Sequence, residues 1–319
     1  MGSLRSSICC LLSIGALAAA EVPSPALLVL NKEGSVAIVD PASRQVVGRA
    51  PTGDGPHEVE ASSDGKLAFV SNYGSQTPGN TLSVIDLASQ KELHRVNLGP
   101  LQRPHGLSFA NGKLYFTVEA NKAIGRYDPA SNQVDWLLGT GQNGTHMVLF
   151  NSATNQIYTA NIGSDSITII DSALNETVVP VGKGPEGFDL SPDGKEIWAA
   201  HSRDGGVSII DIASKRVTHT FNVQTKRSNR LKFTPDGRLV LISDLDAGDL
   251  VVLERATRKE LKRVKLGKNP AGILVEPGSA RAYVAVTGDN NVAVIDLKTL
   301  DLTARISTGT GPDGMAWIK

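Results

Sequence analysis

Val207-Ser208-Ile209-Ile210-Asp211 is the stretch that decides the fold, because its pattern of β-branched residues ending in an acid recurs along the chain. The other copies are Val36–Asp40, Leu82–Asp86, Ile124–Asp128, Ile167–Asp171, Leu250–Glu254 and Val292–Asp296. The terminal acids follow one another at intervals of 40 to 46 residues, so seven copies fill the chain after its first twenty residues. A repeat of this length indicates one array of equivalent units.

Turn signals divide each unit into four short strands. Asp193-Gly194 and Asp236-Gly237 are pairs that tolerate the positive φ of tight β turns. The acid that ends each copy opens a second turn, as in Asp40-Pro41-Ala42-Ser43, where its carboxylate accepts backbone hydrogen bonds. Four-stranded units at this spacing are typical of β-propellers. We therefore predict an all-β fold, a seven-bladed β-propeller with four antiparallel strands per blade.

The two ends of the array predict how the ring closes. The first unit begins with a strand at residues 26–31, and the segment 311–318 matches the beginning of the other units. We expect these N- and C-terminal strands to share one blade, which removes the open sheet edges of the array. The single propeller is accordingly predicted to occupy residues 21–319.

Residues 1–20 have the character of a cleaved signal peptide. Arg5 precedes a mostly apolar run from Ile8 to Ala20 that is too short to span a bilayer, and the run ends in small residues. Removing it removes both cysteines of the chain, and no later apolar stretch is long enough to span a membrane. The prediction is an exported monomer, periplasmic or secreted. Lys and Arg together number 32, as do Asp and Glu, so the charge gives no nucleic-acid signal.

Three four-residue segments resemble a known repeat. Phe69–Asn72, Tyr158–Asn161 and Tyr283–Val286 are similar to the repeat of the YVTN-type seven-bladed propellers, the YncE-like family, and the likeness extends over residues 26–319. That resemblance implies the propeller fold and an envelope or periplasmic protein, without implying a reaction. Leu114–Glu119 is similar to one blade of streptogramin-lyase propellers, and Asn143–Met147 to a blade of lactonase-type propellers. Neither likeness transfers a complete catalytic site.

Candidate site residues follow from two positions that every blade repeats. The loop entering the inner strand and the loop leaving the second strand are expected to share the face around the central channel. The residues assigned to the first position are His57, His105, His146, Glu186, Arg230, Ala271 and Asp313. Those assigned to the second position are Asn31, Asn72, Glu119, Asn161, His201, Asp244 and Thr287. Four of the 6 histidines fall in these sets, three of them in consecutive blades.

Three hypotheses account for this arc of histidines. The first is a hydrated polar channel mouth with no ligand. The second is a site for a divalent transition metal, zinc or copper, held by His57, His105 and His146, with Glu186 or His201 as a fourth group. The third is a site for a small polar or anionic ligand, with His and Glu as acid and base and Arg230 as clamp. Lactonase- or lyase-type catalysis by the same residues, and a protein partner bound to the whole face, remain alternatives.

Overall fold

A computed structural model describes residues 22–319, which form seven sheets of four antiparallel strands each. The seven-bladed propeller predicted from the repeat is confirmed. The predicted signal peptide at residues 1–20 lies outside the described residues, so its assignment stays a prediction. Within residues 22–319, no helix is long and apolar enough to cross a membrane.

The strands follow chain order around the ring, and only blade 1 combines distant segments. Blade 1 contains β1 (Ala26–Asn31), β2 (Ser35–Asp40), β3 (Gln45–Pro51) and β28 (Pro312–Ile318). Blade 2 contains β4 (Pro56–Ala61), β5 (Leu67–Gly74), β6 (Pro78–Asp86) and β7 (Lys91–Asn97), and blade 3 contains β8 (Pro104–Ala110), β9 (Lys113–Val118), β10 (Ala123–Asp128) and β11 (Gln133–Gly139). Blade 4 contains β12 (Thr145–Asn151), β13 (Gln156–Asn161), β14 (Ser166–Ile170) and β15 (Glu176–Pro180).

The remaining three blades repeat this arrangement. Blade 5 contains β16 (Pro185–Leu190), β17 (Glu196–His201), β18 (Gly206–Asp211) and β19 (Arg216–Asn222). Blade 6 contains β20 (Ser228–Phe233), β21 (Leu239–Asp244), β22 (Asp249–Glu254) and β23 (Glu260–Lys265). Blade 7 contains β24 (Pro270–Val275), β25 (Arg281–Val286), β26 (Asn291–Asp296) and β27 (Asp301–Ile306). Single turns of 3-10 helix at Glu119–Asn121 and Thr287–Asp289 follow the second strands of blades 3 and 7.

Closure of the ring also follows the prediction. The last strand of the chain, β28, pairs antiparallel with β1, and Ala26 lies opposite Ile318 while Leu28 lies opposite Ala316. The C-terminal segment is therefore the innermost strand of a blade whose other strands come from the N-terminal end. Pairing of distant segments in one sheet stabilises the ring, because β28 covers the edge that β1 would otherwise expose.

The core lies between neighbouring blades, and alternation along the strands explains why. Leu28 and Ile38 pack into a cluster shared with blade 2, whereas Leu27 and Val39 face the cluster shared with blade 7. Successive side chains of a strand point to opposite faces of its sheet, so the apolar central strands bury both faces. The outermost strands alternate exposed and half-buried residues, as expected for the rim. The first residues of the inner strands lie outside these clusters, next to the axis of the ring.

Candidate functional site

The second residue of every inner strand lines one cavity at the mouth of the axial channel. These residues are His57, His105, His146, Glu186, Asn229, Ala271 and Asp313, and the cavity has a volume of about 510 Å³. The three histidines predicted to share an arc therefore do line one cavity, and so does Glu186. Because blades 2 to 5 are consecutive in the ring, these four side chains occupy one side of the mouth.

A bulge at the start of each inner strand sets this placement. In blade 2 the pairing runs from Pro56 opposite Asn72 to Val59 opposite Val70, so one extra residue lies on the inner strand. The same irregularity occurs in the other six blades. A bulge re-aims the side chain beside it, which turns the second residue away from the blade faces and toward the axis.

Buried hydroxyl groups tie the bulged segments of neighbouring blades together. The Ser71 hydroxyl donates to the His105 carbonyl oxygen at 2.7 Å, and the Thr117 hydroxyl donates to the His146 carbonyl oxygen at 2.7 Å. The backbone N–H of Gly106 in turn donates to the Thr117 hydroxyl at 2.8 Å. These contacts satisfy backbone groups that the bulges free from the sheet. They also fix the backbone of His105 and His146 from the blade before each of them.

In blades 1, 2, 4 and 6 the residue that leaves the second strand and reaches the mouth lies one position after the predicted one. In every blade one backbone N–H donates to the carbonyl oxygen of the residue that precedes the inner strand. The seven donors are Lys32, Tyr73, Glu119, Ile162, Ser202, Leu245 and Thr287, and all except Ser202 line the cavity. In blades 3 and 7 the position equivalent to Asn72 is a valine, Val118 or Val286. The predicted residues there, Glu119 and Thr287, are the next ones along the chain, and both line the cavity as expected.

The predicted residues in the other five blades have a structural role instead. Asn72 accepts the backbone N–H of Gly53 at 3.0 Å, and Asp244 accepts those of Lys226 and Arg227 at 2.8 and 3.0 Å. Asn31, Asn161 and His201 occupy the equivalent position, and all five side chains are buried. Asn31, Asn72, His201 and Asp244 hold the loop that leads into the inner strand, whereas Asn161 binds Ser166 and Thr168 on the next strand of its blade. None of the five side chains lines the cavity.

His201 is accordingly placed away from the other candidate residues. Its Nδ1 donates to the Asp204 carboxylate at 2.9 Å, and its Nε2 accepts the backbone N–H of Gly182 at 3.3 Å. Both ring nitrogens are therefore used within the loop. The structure does not bring His201 to the mouth, so it offers no nitrogen to a ligand there.

Arg230 lies one residue deeper than the position assigned to it. Ser228 pairs opposite Asp244, which makes Asn229 the equivalent of the histidines and places Arg230 at the level of Glu58. Neighbouring inner strands have glycine at this level, and a Cβ on Gly106 would come 2.6 Å from the Met147 Cα. Arg230 extends across this narrow section and forms a buried ion pair with Glu58 of blade 2. Its guanidinium is therefore engaged by the protein and does not act as a free anion clamp.

The Glu58–Arg230 pair separates the mouth from a second, smaller cavity of about 150 Å³ farther along the channel. This lower cavity is lined by the next axial residues of the inner strands, which include Glu60 and Lys232. Arg230 contributes to both cavities. The mouth is thus a pocket with a charged floor.

Tyr73, Glu119 and the histidines form one continuous group on the floor of the mouth. The His105 and His146 ring centroids are 3.9 Å apart, and those of His57 and His105 are 5.0 Å apart. The Tyr73 hydroxyl donates to Glu119 Oε2 at 2.6 Å, while His146 Nδ1 donates to Glu119 Oε1. Ligand atoms of His105, Glu119 and His146 lie within 4.8 Å of one another, and His57 is outside this close group.

Hydrogen bonds determine which histidine nitrogens carry lone pairs. His57 Nδ1 donates to the Gly55 carbonyl oxygen at 3.1 Å, so its Nε2 faces the Lys32 ammonium at 3.5 Å as an acceptor. The bond from His146 Nδ1 to Glu119 likewise leaves the lone pair of that ring on Nε2. Among residues 22–319, His146 Nε2 and His105 Nδ1 are buried without a hydrogen-bonding partner.

Burial and neighbouring charges keep His57 and His105 neutral. Burial, together with the adjacent His146 and His57, holds the pKa of His105 well below its usual range. Burial and the Lys32 ammonium lower the pKa of His57. Although burial opposes it, the hydrogen bond from His146 lowers the pKa of Glu119. The group therefore presents two neutral imidazoles, His57 and His105, near an ionised carboxylate at neutral pH.

Two ion pairs lie at the mouth, one made by the exposed Lys32 and one by the buried Arg230. Lys32 Nζ lies 2.7 Å from Asp313 Oδ2, and Arg230 pairs with Glu58. Glu186 accepts a hydrogen bond only from a neutral group, the Asn229 amide, at 2.6 Å.

Sequence reasoning missed the contributions of Lys32, Tyr73, Glu58 and Asn229. Tyr73 and Lys32 directly follow an asparagine that was assigned to the site, so a shift of one residue would have found them.

Comparison with known proteins places the chain in a family. A model for YncE-like β-propellers matches residues 2–178. The chain belongs to the YncE-like β-propeller family. An uncharacterised YncE protein from Salmonella typhi is 25% identical over 173 residues, covering 52% of this chain and 48% of that protein. The resemblance seen in the repeat segments is thereby confirmed at the level of the family.

A second relative is the hydrazine synthase subunit beta of Kuenenia stuttgartiensis. It is 28% identical over 205 residues, covering 47% of this chain and 53% of that subunit. A solved Kuenenia stuttgartiensis hydrazine synthase structure superposes with a TM-score of 0.70 at 22% identity, covering 82% of this chain and 89% of that one. This YncE-like chain spans about half the length of the relatives matched by sequence, and the structural likeness shows a shared fold.

Proposed function

We propose that this YncE-like propeller is a binding protein for a small cationic ligand, which it takes into the mouth cavity. The observation that carries the proposal is the charge left over at the mouth. Lys32 and Arg230 are each paired with a carboxylate, whereas Glu119 and Glu186 pair with no lysine or arginine among residues 22–319. Glu119 accepts hydrogen bonds from Tyr73 and His146, and Glu186 accepts one from the Asn229 amide. Arg227 also lines the cavity, but it lies at the exposed rim. A buried carboxylate is stabilised by a cation that shares its low-dielectric surroundings.

The position of these groups supports the same interpretation. The seven inner strands need the same entry turn, yet their second residues are three histidines, Glu, Asn, Ala and Asp. The fold alone does not require that mixture. The residues at this position place polar side chains that can bind a ligand on one side of the ring. A concave site with a few convergent polar groups is the usual form of a small-molecule site.

Cationic and anionic probes of equal size test the proposal. Putrescine and succinate both have four carbons and carry opposite charges, and each would be titrated into the protein by isothermal calorimetry. We expect putrescine to bind and succinate not to bind. Glu186→Gln should weaken putrescine binding at least tenfold, because a hydrogen bond to a charged group contributes about 1.5–3 kcal/mol. Preferential binding of succinate would contradict the proposal.

Glu176→Gln is the matched control, since Glu176 is an exposed glutamate on the outermost strand β15. It makes the same chemical change far from the mouth, so putrescine binding should not change. Equal losses in the two variants would assign the effect to net charge and not to the site.

The distribution of exposed apolar side chains favours a small ligand over a protein partner at the mouth. Large exposed apolar residues among residues 22–319 include Val47, Leu93, Leu137, Val178 and Leu261, all on outermost strands. Protein-binding surfaces usually concentrate such residues in one patch. We also propose, from the character of residues 1–20, that the protein acts after export, in the periplasm or outside the cell.

A further inference from the structure

We infer that His105, Glu119 and His146 bind a divalent transition-metal ion at the floor of the mouth. The inference deepens the proposed function, on which it rests, by naming the cation. One ligand atom from each of the three residues lies within 4.8 Å of the other two. Zinc bonds to imidazole nitrogen at about 2.0–2.1 Å, so two ligands of one tetrahedral ion are about 3.4 Å apart. Small rotations of these side chains would bring the three ligand atoms from within 4.8 Å of one another to the separation that an ion requires.

Two buried nitrogens provide a second and independent observation. Within the described part of the chain, His105 Nδ1 and His146 Nε2 have no hydrogen-bonding partner, and both residues are at least nine-tenths buried. An unpaired buried acceptor costs about 1–3 kcal/mol. A metal ion bound to His105 Nδ1 would remove this cost at His105, because neutral imidazole is the form that ligates.

The groups behind the three residues are those that orient metal ligands. Glu119 contacts His146 Nδ1, so an ion shared by these two residues takes the place of the hydrogen-bonded proton, while the Tyr73 hydroxyl holds the other carboxylate oxygen at 2.6 Å. Arg103 packs against the Tyr73 ring at 4.6 Å and fixes its position. Partners of this kind typically change metal affinity by about 10- to 100-fold.

Nearby charges permit a divalent cation at this place. Arg230 lies beneath the histidines, but Glu58 neutralises it, and Asp313 neutralises Lys32 in the same way. Imidazole nitrogens with one carboxylate suit zinc and copper(II) better than the hard cations magnesium and calcium, which prefer oxygen. The ligand set differs from the three-histidine set predicted from the sequence, since Glu119 takes the place of His57.

Titration of tag-free protein with Zn²⁺ and Cu²⁺ against a chromogenic chelator tests the inference. We expect one ion per chain, and nitrogen hyperfine structure in the electron paramagnetic resonance spectrum of the copper form. His105→Ala and His146→Ala should each lower the affinity at least 100-fold. Tyr73→Phe should lower it about tenfold, because the carboxylate loses one of its orienting groups.

Two histidine variants serve as controls. His57→Ala should keep the metal, since His57 is outside the close group, and so should His219→Ala on the exposed outermost strand β19. A loss in His57→Ala as large as that in His105→Ala would overturn the ligand set. Protein that binds putrescine but neither metal would overturn the metal inference and keep the proposed function. Protein that binds none of the three probes would overturn both.

Discussion

Glu60 in the lower channel makes the stability of this propeller depend on pH in a calculable way. The pKa of Glu60 is raised from 4.5 to about 7, chiefly by burial, while Lys232 lowers it and the neighbouring Glu58 raises it. Lys232 is itself near a second carboxylate, with Nζ 3.5 Å from Asp189 Oδ1, so its charge is shared. The folded protein therefore holds the Glu60 proton more tightly than the unfolded chain does.

The sign of the effect follows from this difference in proton binding. Below about pH 4.5 the carboxyl is protonated in both states, and it contributes no difference. As the pH rises from 4.5 to about 7, only the unfolded chain releases the proton freely, so the free energy of unfolding falls. At about 1.4 kcal/mol per pKa unit, the total loss is about 3 kcal/mol, complete above the folded-state pKa.

Glu60→Gln removes this contribution and keeps the size of the side chain. We expect the variant and the parent protein to have similar stability near pH 4.5, and the variant to be more stable by about 3 kcal/mol near pH 8. Equilibrium urea unfolding of both proteins across this pH range measures the difference directly, and other titrating groups cancel in it. Asp246→Asn is the control, because it also removes one carboxylate, from an exposed residue that makes no ion pair among residues 22–319. Its difference from the parent should stay constant. A Glu60→Gln difference that does not grow with pH would refute the reasoning.

Four shorter predictions test the fold, the channel floor, the loop ties and export. Ile318→Ala should destabilise the protein by about 2–5 kcal/mol in urea unfolding, whereas Lys319→Ala should not, because only Ile318 is buried in the closing blade. Glu58→Gln should cost about 3–5 kcal/mol by leaving Arg230 unpaired, and adding Arg230→Gln should restore part of the loss. His201→Asn should keep stability within about 1 kcal/mol and leave metal and putrescine binding unchanged, since asparagine fills the equivalent position in three blades. Protein isolated from its native host should begin near residue 21, and recovery of intact Met1 would contradict the signal peptide.

The fold could be predicted because its determinants are local and repeated seven times. Asp-Gly turns, β-branched strands and the acid that ends each third strand recur at nearly constant spacing, so an error in one unit is corrected by the others. The closing strand was predictable for the same reason, since Gly311-Pro312-Asp313 repeats the entry of Gly55-Pro56-His57. Strand order then follows from the requirement that no edge be left open.

The site could be predicted only where a local signal fixes the position of a side chain. Proline at the first residue of an inner strand marks the second residue, which is why His57, His105 and Glu186 were assigned correctly. Blade 6 enters on Ser228, without that signal, and Arg230 was assigned in place of Asn229. The bulge adds one residue at the start of the inner strand. An error of one residue there assigns a side chain to the mouth when it lies deeper in the channel, as Arg230 does.

The second strands show why polar residues in a repeated position do not by themselves indicate a site. Asn31 and Asn72 recur because each of these blades must bind the loop that enters its own inner strand, and Asp244 and His201 perform the same task. Asn161 instead ties its strand to the next one through Ser166 and Thr168. Blades 3 and 7 have valine there, and their loops are followed by short 3-10 turns that begin with Glu119 and Thr287. Glu119 occupies the position that Lys32 and Tyr73 hold in blades 1 and 2, so it faces the mouth at the very blade whose inner strand carries His105. The carboxylate contacts His146 from there, and it gives the two stacked imidazoles the third group that the proposed metal site requires.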